Sequence, residues 1–330
     1  MKTTNLMKSG ILAAFLLCGF SATTIFAQND TIYFMKNGVI VNKQSIKTQD
    51  VDSAIFYNPV TPVPPIQQVE ITYVDIQGGT FNMGSETSEL DRNSDEKLHP
   101  VILTAFRMSK YEITNAQYAA FLNAKKIGSN GQDAAGAYPT RVLIYATSGS
   151  YDWGLHYTNN QWVPATGYEN HPVINVTWFG ATEFATYVGA KLPTEAQFEY
   201  ACRAGTTTPF RTGNCLNNTQ AHYNWAYPYS SCTNTVTSSQ TCNAPVGSYP
   251  ANPWGLYDME GNVTEWCSDR YGSYPTPTQT DPTGPVTGTE NVFRGGARIA
   301  SGASCRSALR GHDLPSWRTN YLGFRVVASK

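Results

Sequence analysis

What narrows the folds open to this chain is its second half. The helical pattern of LPTEAQFEYACRAG stops at Gly205, and residues 206–330 then read as polar loops and brief strands with no long internal repeat. A compact domain holds that much irregular chain only where disulfides, bound metal or a functional surface stabilise it. Of the seven cysteines, the six after residue 27 are Cys202, Cys215, Cys232, Cys242, Cys267 and Cys305. An even number argues for disulfides if the chain is exported.

Export is what the first residues predict. Lys2 and Lys8 precede the apolar run ILAAFLLCGF and the small-residue stretch SATTIFA, which reads as a secretory signal over 1–27, too short for a membrane span. A lipid-anchored leader would use Cys18, but Leu17 stands where a small residue is wanted. The mature chain is expected to be periplasmic, cell-surface or secreted, with no transmembrane segment. It would carry 21 basic against 24 acidic residues, a net charge of −3, because residues 1–27 remove two Lys and no acid. That balance offers no basic stripe for a phosphate backbone and excludes nucleic acid as the expected partner. With charged residues at 14% and aromatics at 12%, the surface favours hydrogen-bonding and stacking recognition.

Residues 28–60 hold β-branched and aromatic runs around Asn37-Gly38, a hairpin signal and a short β appendage. TPVPPIQQV, 61–69, reads as a stiff Pro-rich linker. TNAQYAAFLNA pairs Thr114 with Gln117 as a capping box and places Tyr118, Phe121 and Leu122 on one face. Ala181, Phe184, Ala185 and Val188 repeat the spacing, and Thr194 with Gln197 caps a third helix that turns Phe198, Ala201 and Cys202 inward.

Six blocks then occur in order: GGTFNMGS (78–85), KYEITNAQYAAFLNA (110–124), HPVINVTWFGATEFATYVGAKLPTEAQFEYACRAG (171–205), NPWGLYDMEGNVTEW (252–266), RGG (294–296) and LGFRVV (322–327). Together, over about residues 70–330, they resemble the formylglycine-generating enzyme family, the sulfatase-modifying-factor domain. The resemblance implies an α+β fold of irregular C-type-lectin-like form, with few helices, short antiparallel strands and long loops, often with bound calcium.

Enzymes of that family oxidise a sulfatase cysteine to formylglycine with two cysteines that bind Cu(I), a soft ion held by thiolates. Counted from the RGG landmark, the pair should fall at 300 and 305, where this chain has Ala300 and Cys305. A methyl group cannot replace a thiolate, and no Cys, His or Met stands at 297–304, so copper is not expected. The plainer role for Cys305 is a disulfide, for example with Cys267. Cys232 and Cys242 would then close a local loop and leave Cys202 with Cys215.

Calcium wants hard oxygens, and Asp258, Gly261, Val263 and Glu265 stand at the positions matching a family calcium site, with Asp258 where the family often has Asn. Asn224 and the Trp225 carbonyl match half of a second site. Other enzyme signals are poor. His99, His156, His171, His222 and His312 form no HExxH, and neither a GxSxG elbow nor a P-loop is present. Related iron-dependent sulfoxide synthases carry a further helical domain with a histidine cluster, which is not seen here.

In residues 294–327, Arg294, Gly295, Gly296, Cys305, Arg306, Arg310, Gly323, Phe324 and Arg325 read as framework. Between them Arg298, Ile299, Ser301, Gly302, Leu309, His312, Asp313, Leu314, Trp317, Asn320 and Tyr321 follow neither a helical nor a strand period. That alternation resembles the variable region of diversity-generating-retroelement target proteins, some of which use this fold, and implies an adaptable binding face. The expectation is an exported, non-catalytic module that binds an unknown protein or glycan ligand outside the cytoplasm. One alternative is a formylglycine-generating oxidase with altered metal ligation at Cys305. Another is a structural component of a surface or secretion assembly.

Overall fold

The computed structural model describes residues 69–147, 152–230, 232–236 and 241–330, together with the backbone of four short strands before residue 46. The chain divides into two compact units, Met1–Gln67 and Gln68–Lys330. In the first, Phe15–Leu17 pairs antiparallel with Ala22–Thr24, and Thr31–Lys36 with Val39–Ser45 around Asn37-Gly38. The rest of the expected leader (1–27) and of the 28–60 segment, and residues 61–68 of the expected linker, lie outside the described residues.

The second unit has three α-helices, α1 (Asn115–Ala124), α2 (Trp178–Tyr187) and α3 (Glu195–Arg203). Both expected capping boxes form. The Thr114 hydroxyl accepts from the Gln117 amide at 3.2 Å while Gln117 Oε1 accepts from the Thr114 amide, and Thr194 and Gln197 repeat this at α3. Each such cap stabilises its helix by about 1 kcal/mol. The α3 end is made by Ala204 and Gly205, both in the left-handed region.

The helices are buried along the faces that their apolar spacing gives. Tyr118, Phe121 and Leu122 of α1 meet Ala181, Phe184 and Ala185 of α2 in a core with Trp162, Trp266 and Phe324. Phe198, Ala201 and Cys202 of α3 join a second core with Met83, Val101, Phe106 and Cys267. The loop-rich half builds a third, with Phe210, Tyr223, Tyr229 and Cys305. Each large side chain removed from water contributes roughly 1.5–3 kcal/mol, so aromatic clusters replace regular elements as the support of the loops.

Strands are short. The largest sheet runs Gly311–Asp313, Asn291–Arg294, Thr264–Arg270, Leu322–Gly323 in spatial order, antiparallel except for the last pairing. A second sheet joins Gln279–Thr280, His99–Leu103 and Gly79–Met83, and a third joins Val327–Ser329, Phe106–Ser109 and Tyr73–Ile76. The result is the irregular α+β architecture expected, with two parallel pairings among the antiparallel ones. Among the described residues, no helix is long and apolar enough to cross a membrane.

Candidate functional site

Residues 294–327 thread the largest sheet, and their landmarks are the buried part. Arg294, Arg306 and Arg325 are at most 1% exposed, as are Cys305 and Phe324. Each arginine holds a distant segment. Arg294 bonds Glu195, Glu199 and the Ser307 and Leu309 carbonyls. Arg306 grips Glu96 through two 2.8 Å bonds and adds Glu89. Arg310 is bidentate on Glu195, and Arg325 on Glu265. Planar two-point pairing of this kind fixes orientation as well as charge. Despite their burial, Glu195 and Glu96 are held below the usual carboxylate range by these guanidinium groups.

The filling divides. Ile299 and Leu314 are 44% and 50% exposed, His312 is exposed, and Ser301, Leu309, Asp313, Trp317, Asn320 and Tyr321 are half-buried. Arg298 and Gly302 belong instead with the framework. Arg298 Nε donates to Asn243 at 2.9 Å and its guanidinium lies over the Trp153 ring. A Cβ on Gly302 would fall 2.7 Å from the Tyr229 amide nitrogen.

Ile299, Leu309, Trp317 and Tyr321 converge on a cleft of about 290 Å³, which Phe293 and Ala300 also line. Trp317 stacks on Phe293 at 5.2 Å and meets the Tyr321 ring edge-on at 6.2 Å. The sequence reading missed Phe293, although strand alternation between Val292 and Arg294 puts it on the opposite face from both. His312, Asp313 and Leu314 lie outside the cleft lining. His312 stacks on Tyr271 at 3.6 Å and bonds Glu290. Asn320 offers its carbonyl to Asn243.

Positions 300 and 305 face different surroundings. Ala300 lines the cleft, whereas Cys305 packs with the third core and is fully buried. A Cβ on Gly296 would stand 2.7 Å from Cys305 Sγ, so only glycine lets the turn close over the thiol. Burial pushes the Cys305 thiol well above the ordinary thiol range, so without a partner it stays protonated. The cysteines do not pair as expected. The bond formed is Cys215–Cys232, while Cys202, Cys267 and Cys305 are buried free thiols and Cys242 is half-buried and free. Cys267 points into the second core and Cys305 into the third, which separates the expected partners. Cys202 is directed at the Met259 carbonyl and Ser307, and burial pushes it up to about 12.

The turn before strand Thr264–Arg270 gathers acids. Asp258 accepts from the Gly247 amide at 2.6 Å, and Glu265 is held by Arg325. Glu112, 1% exposed, accepts from Asn262 and the Val263 amide. Burial raises all three, Asp258 to about 6, and Asp258 and Glu265 push Glu112 higher still. Three buried carboxyl groups share one guanidinium, which is held by Glu265, so Asp258 and Glu112 are hard oxygen donors without a cation of their own among the described residues, the chemistry that suits a calcium ion. Among the described residues, no three His, Cys, Asp or Glu side chains converge tightly enough to hold an ion alone, so carbonyls such as those of Gly261 and Val263 would have to take part. Asn224 and Trp225 do not fit a second ion. The Trp225 carbonyl accepts from Asn234 Nδ2 at 2.6 Å, placing an amide donor where a cation would sit, and Asn224 Oδ1 accepts from the Ala226 amide.

A lectin-like scaffold with arginine-pinned loops and an aromatic cleft is the class of protein that this geometry defines. Residues 61–330 match the sulfatase-modifying factor enzyme 1-like domain, and the chain belongs to that family. It is 31% identical over 279 residues to the formylglycine-generating enzyme of Mus musculus, covering 77% of this chain and 74% of the relative. It is 33% identical over 284 residues to that of Streptomyces coelicolor, covering 77% and 88%. Among solved structures, PvdO from Pseudomonas aeruginosa superimposes with a TM-score of 0.62 at 24% identity, over 80% of this chain and 97% of that one. Treponema denticola variable protein 1 superimposes with a TM-score of 0.57 at 21% identity, over 82% and 100%. These two likenesses establish the fold alone.

Proposed function

We propose that this is an exported, non-catalytic binding module that takes a protein or glycan ligand in the cleft beside Trp317 and Tyr321, with calcium at the turn of Asp258, Gly261, Val263 and Glu265. The observation that carries the reading is that the cleft presents the Ala300 methyl while the Cys305 thiol is turned into the core. Stacked aromatics beside small and polar groups suit adaptable contact, because they supply rigid area at low entropic cost. Exposed and half-buried filling between buried landmarks is the arrangement that lets a face vary without disturbing its support. Fold alone does not assign activity, whereas the side chains that line a cleft decide what it can hold.

The test is mass spectrometry of a sulfatase-type cysteine peptide incubated with the protein and Cu(I), beside Ala300→Cys. No conversion by the natural chain is expected, whereas appearance of formylglycine would overturn the reading. Once a ligand is isolated, Trp317→Ala and Tyr321→Ala should each weaken its binding without lowering the melting temperature below that of other half-buried aromatic substitutions.

A further inference from the structure

A second cavity, of about 490 Å³, opens beside the first turn of α3 under the loop 279–285. Its charges are nearly all spoken for. Both Glu195 oxygens are used by Arg294, Arg310 and the Tyr274 hydroxyl. Arg310 is spent on Glu195 and the Gly272 carbonyl and lies 3.9 Å over the Tyr274 ring. Arg270, at the rim, donates to the Gly288 carbonyl. Asp281 is occupied by Thr104.

Two acceptors are left over. Asp269 is 4% exposed, and its Oδ2 accepts from the Glu195 amide at 3.1 Å and the Ser268 hydroxyl at 2.9 Å. The bonds the Asp269 side chain makes among the described residues all fall on Oδ2, and the Arg310 guanidinium acts on it only from a distance, being paired with Glu195. His99, 6% exposed, has Nδ1 2.9 Å from the Lys97 carbonyl. A carbonyl can only accept, so Nδ1 is the donor, and no hydrogen-bond partner to Nε2 is found among the described residues. Gly284, at φ +73°, brings the loop backbone over the carboxylate, and a Cβ there would come 2.8 Å from Asp269 Cβ. Met83, Ala196 and Pro275 supply apolar wall.

A buried carboxylate with no ion pair of its own calls for a cation, and a histidine ring lining the same cavity suits one with several N–H donors. The geometry points to this cavity as a binding site for an organic primary ammonium group on an aliphatic stem, such as a lysyl side chain, held by Asp269 and His99. The site is separate from the Trp317 cleft and does not depend on it. Burial and the nearby charge of Glu195 push Asp269 up to about 7, with Arg310 opposing. An arriving ammonium would displace the proton, so affinity should rise as pH rises through that value while the amine stays charged. The titratable and charged groups facing Asp269 are Glu195 from α3, His99 from strand His99–Leu103, Arg270 beside it, Tyr274 and Asp281 from the loops, and Arg310.

Calorimetric titration of the full chain with Nα-acetyl-lysine methylamide, beside Nα-acetyl-norleucine methylamide, tests the site. The lysyl compound should bind and the norleucyl compound should not. Asp269→Asn keeps an acceptor for the Glu195 amide, so the fold is retained while affinity drops by about tenfold or more. Trp317→Ala should leave binding unchanged. Equal binding of the two compounds, no binding of the lysyl compound, or an unaffected Asp269→Asn variant would each overturn the assignment. If that variant does not fold, the comparison of the two compounds on the natural chain decides.

Discussion

Within residues 294–327, framework and filling alternate over a few positions yet obey different physics. Arg306 is 1% exposed and anchored to Glu96 and Glu89, while Leu314, eight positions on, is 50% exposed. The first kind of residue cannot change without leaving a buried carboxylate unpaired. The second contacts little besides solvent, so the segment combines strict and permissive positions that sequence spacing alone only hints at.

That contrast can be broken most severely at the arginines. Arg306→Met should cost about 3–5 kcal/mol, because it strands Glu96 and Glu89 in a buried setting; a urea-unfolding loss under about 1 kcal/mol would contradict the framework role. Next comes the acid-rich turn. Calcium at a hundredfold excess over its Kd should stabilise the protein by about 2.7 kcal/mol, read as a melting shift reversed by chelation, and Asp258→Ala should abolish it. An unchanged melting curve would remove the calcium assignment.

A third and smaller effect comes from Asp269. Its carboxyl is raised in the fold, so its stabilising contribution is fully present below the unfolded value near 3.9 and is lost as pH rises through about 7. Asp269→Asn should therefore gain on the natural chain between about pH 4 and pH 8, a difference that parallel melts at the two pH values would measure. Smallest of all, Ile299→Ser and Leu314→Ser should stay within about 0.5 kcal/mol of the natural protein. A larger loss would move those residues into the framework.

Much of the fold was legible in local chemistry. The Thr114 and Thr194 capping boxes and the apolar faces of Tyr118, Phe184 and Phe198 depend on neighbours three or four residues away, which sequence displays directly. Cysteine pairing was not legible, because Cys215 and Cys232 meet through the path of an irregular loop, with Cα atoms 5.6 Å apart. Nor was the inward turn of Cys305, which depends on how closely Gly296 approaches it. Glu112, the third acid beside Asp258 and Glu265, escaped as well, since it lies 150 positions before its partner Asn262. Arg298 and Gly302 looked like filling because residue type does not report burial. Trp153 and Tyr229 cover them in space.

The arginine contacts also set an order of events. Glu89, Glu96, Glu195 and Glu265 must wait for guanidinium groups that lie up to 217 positions later, and strand Phe106–Ser109 waits for Val327–Ser329. Contacts of such sequence separation carry a loop-closure cost before they are formed, so folding dominated by them is slow. Until residues 294–329 dock, Glu89, Glu96, Glu195 and Glu265 lack the guanidinium groups that let them be buried and favour water over the core. The early acids are in this sense placeholders, whose burial is conditional on a segment read much later in the chain.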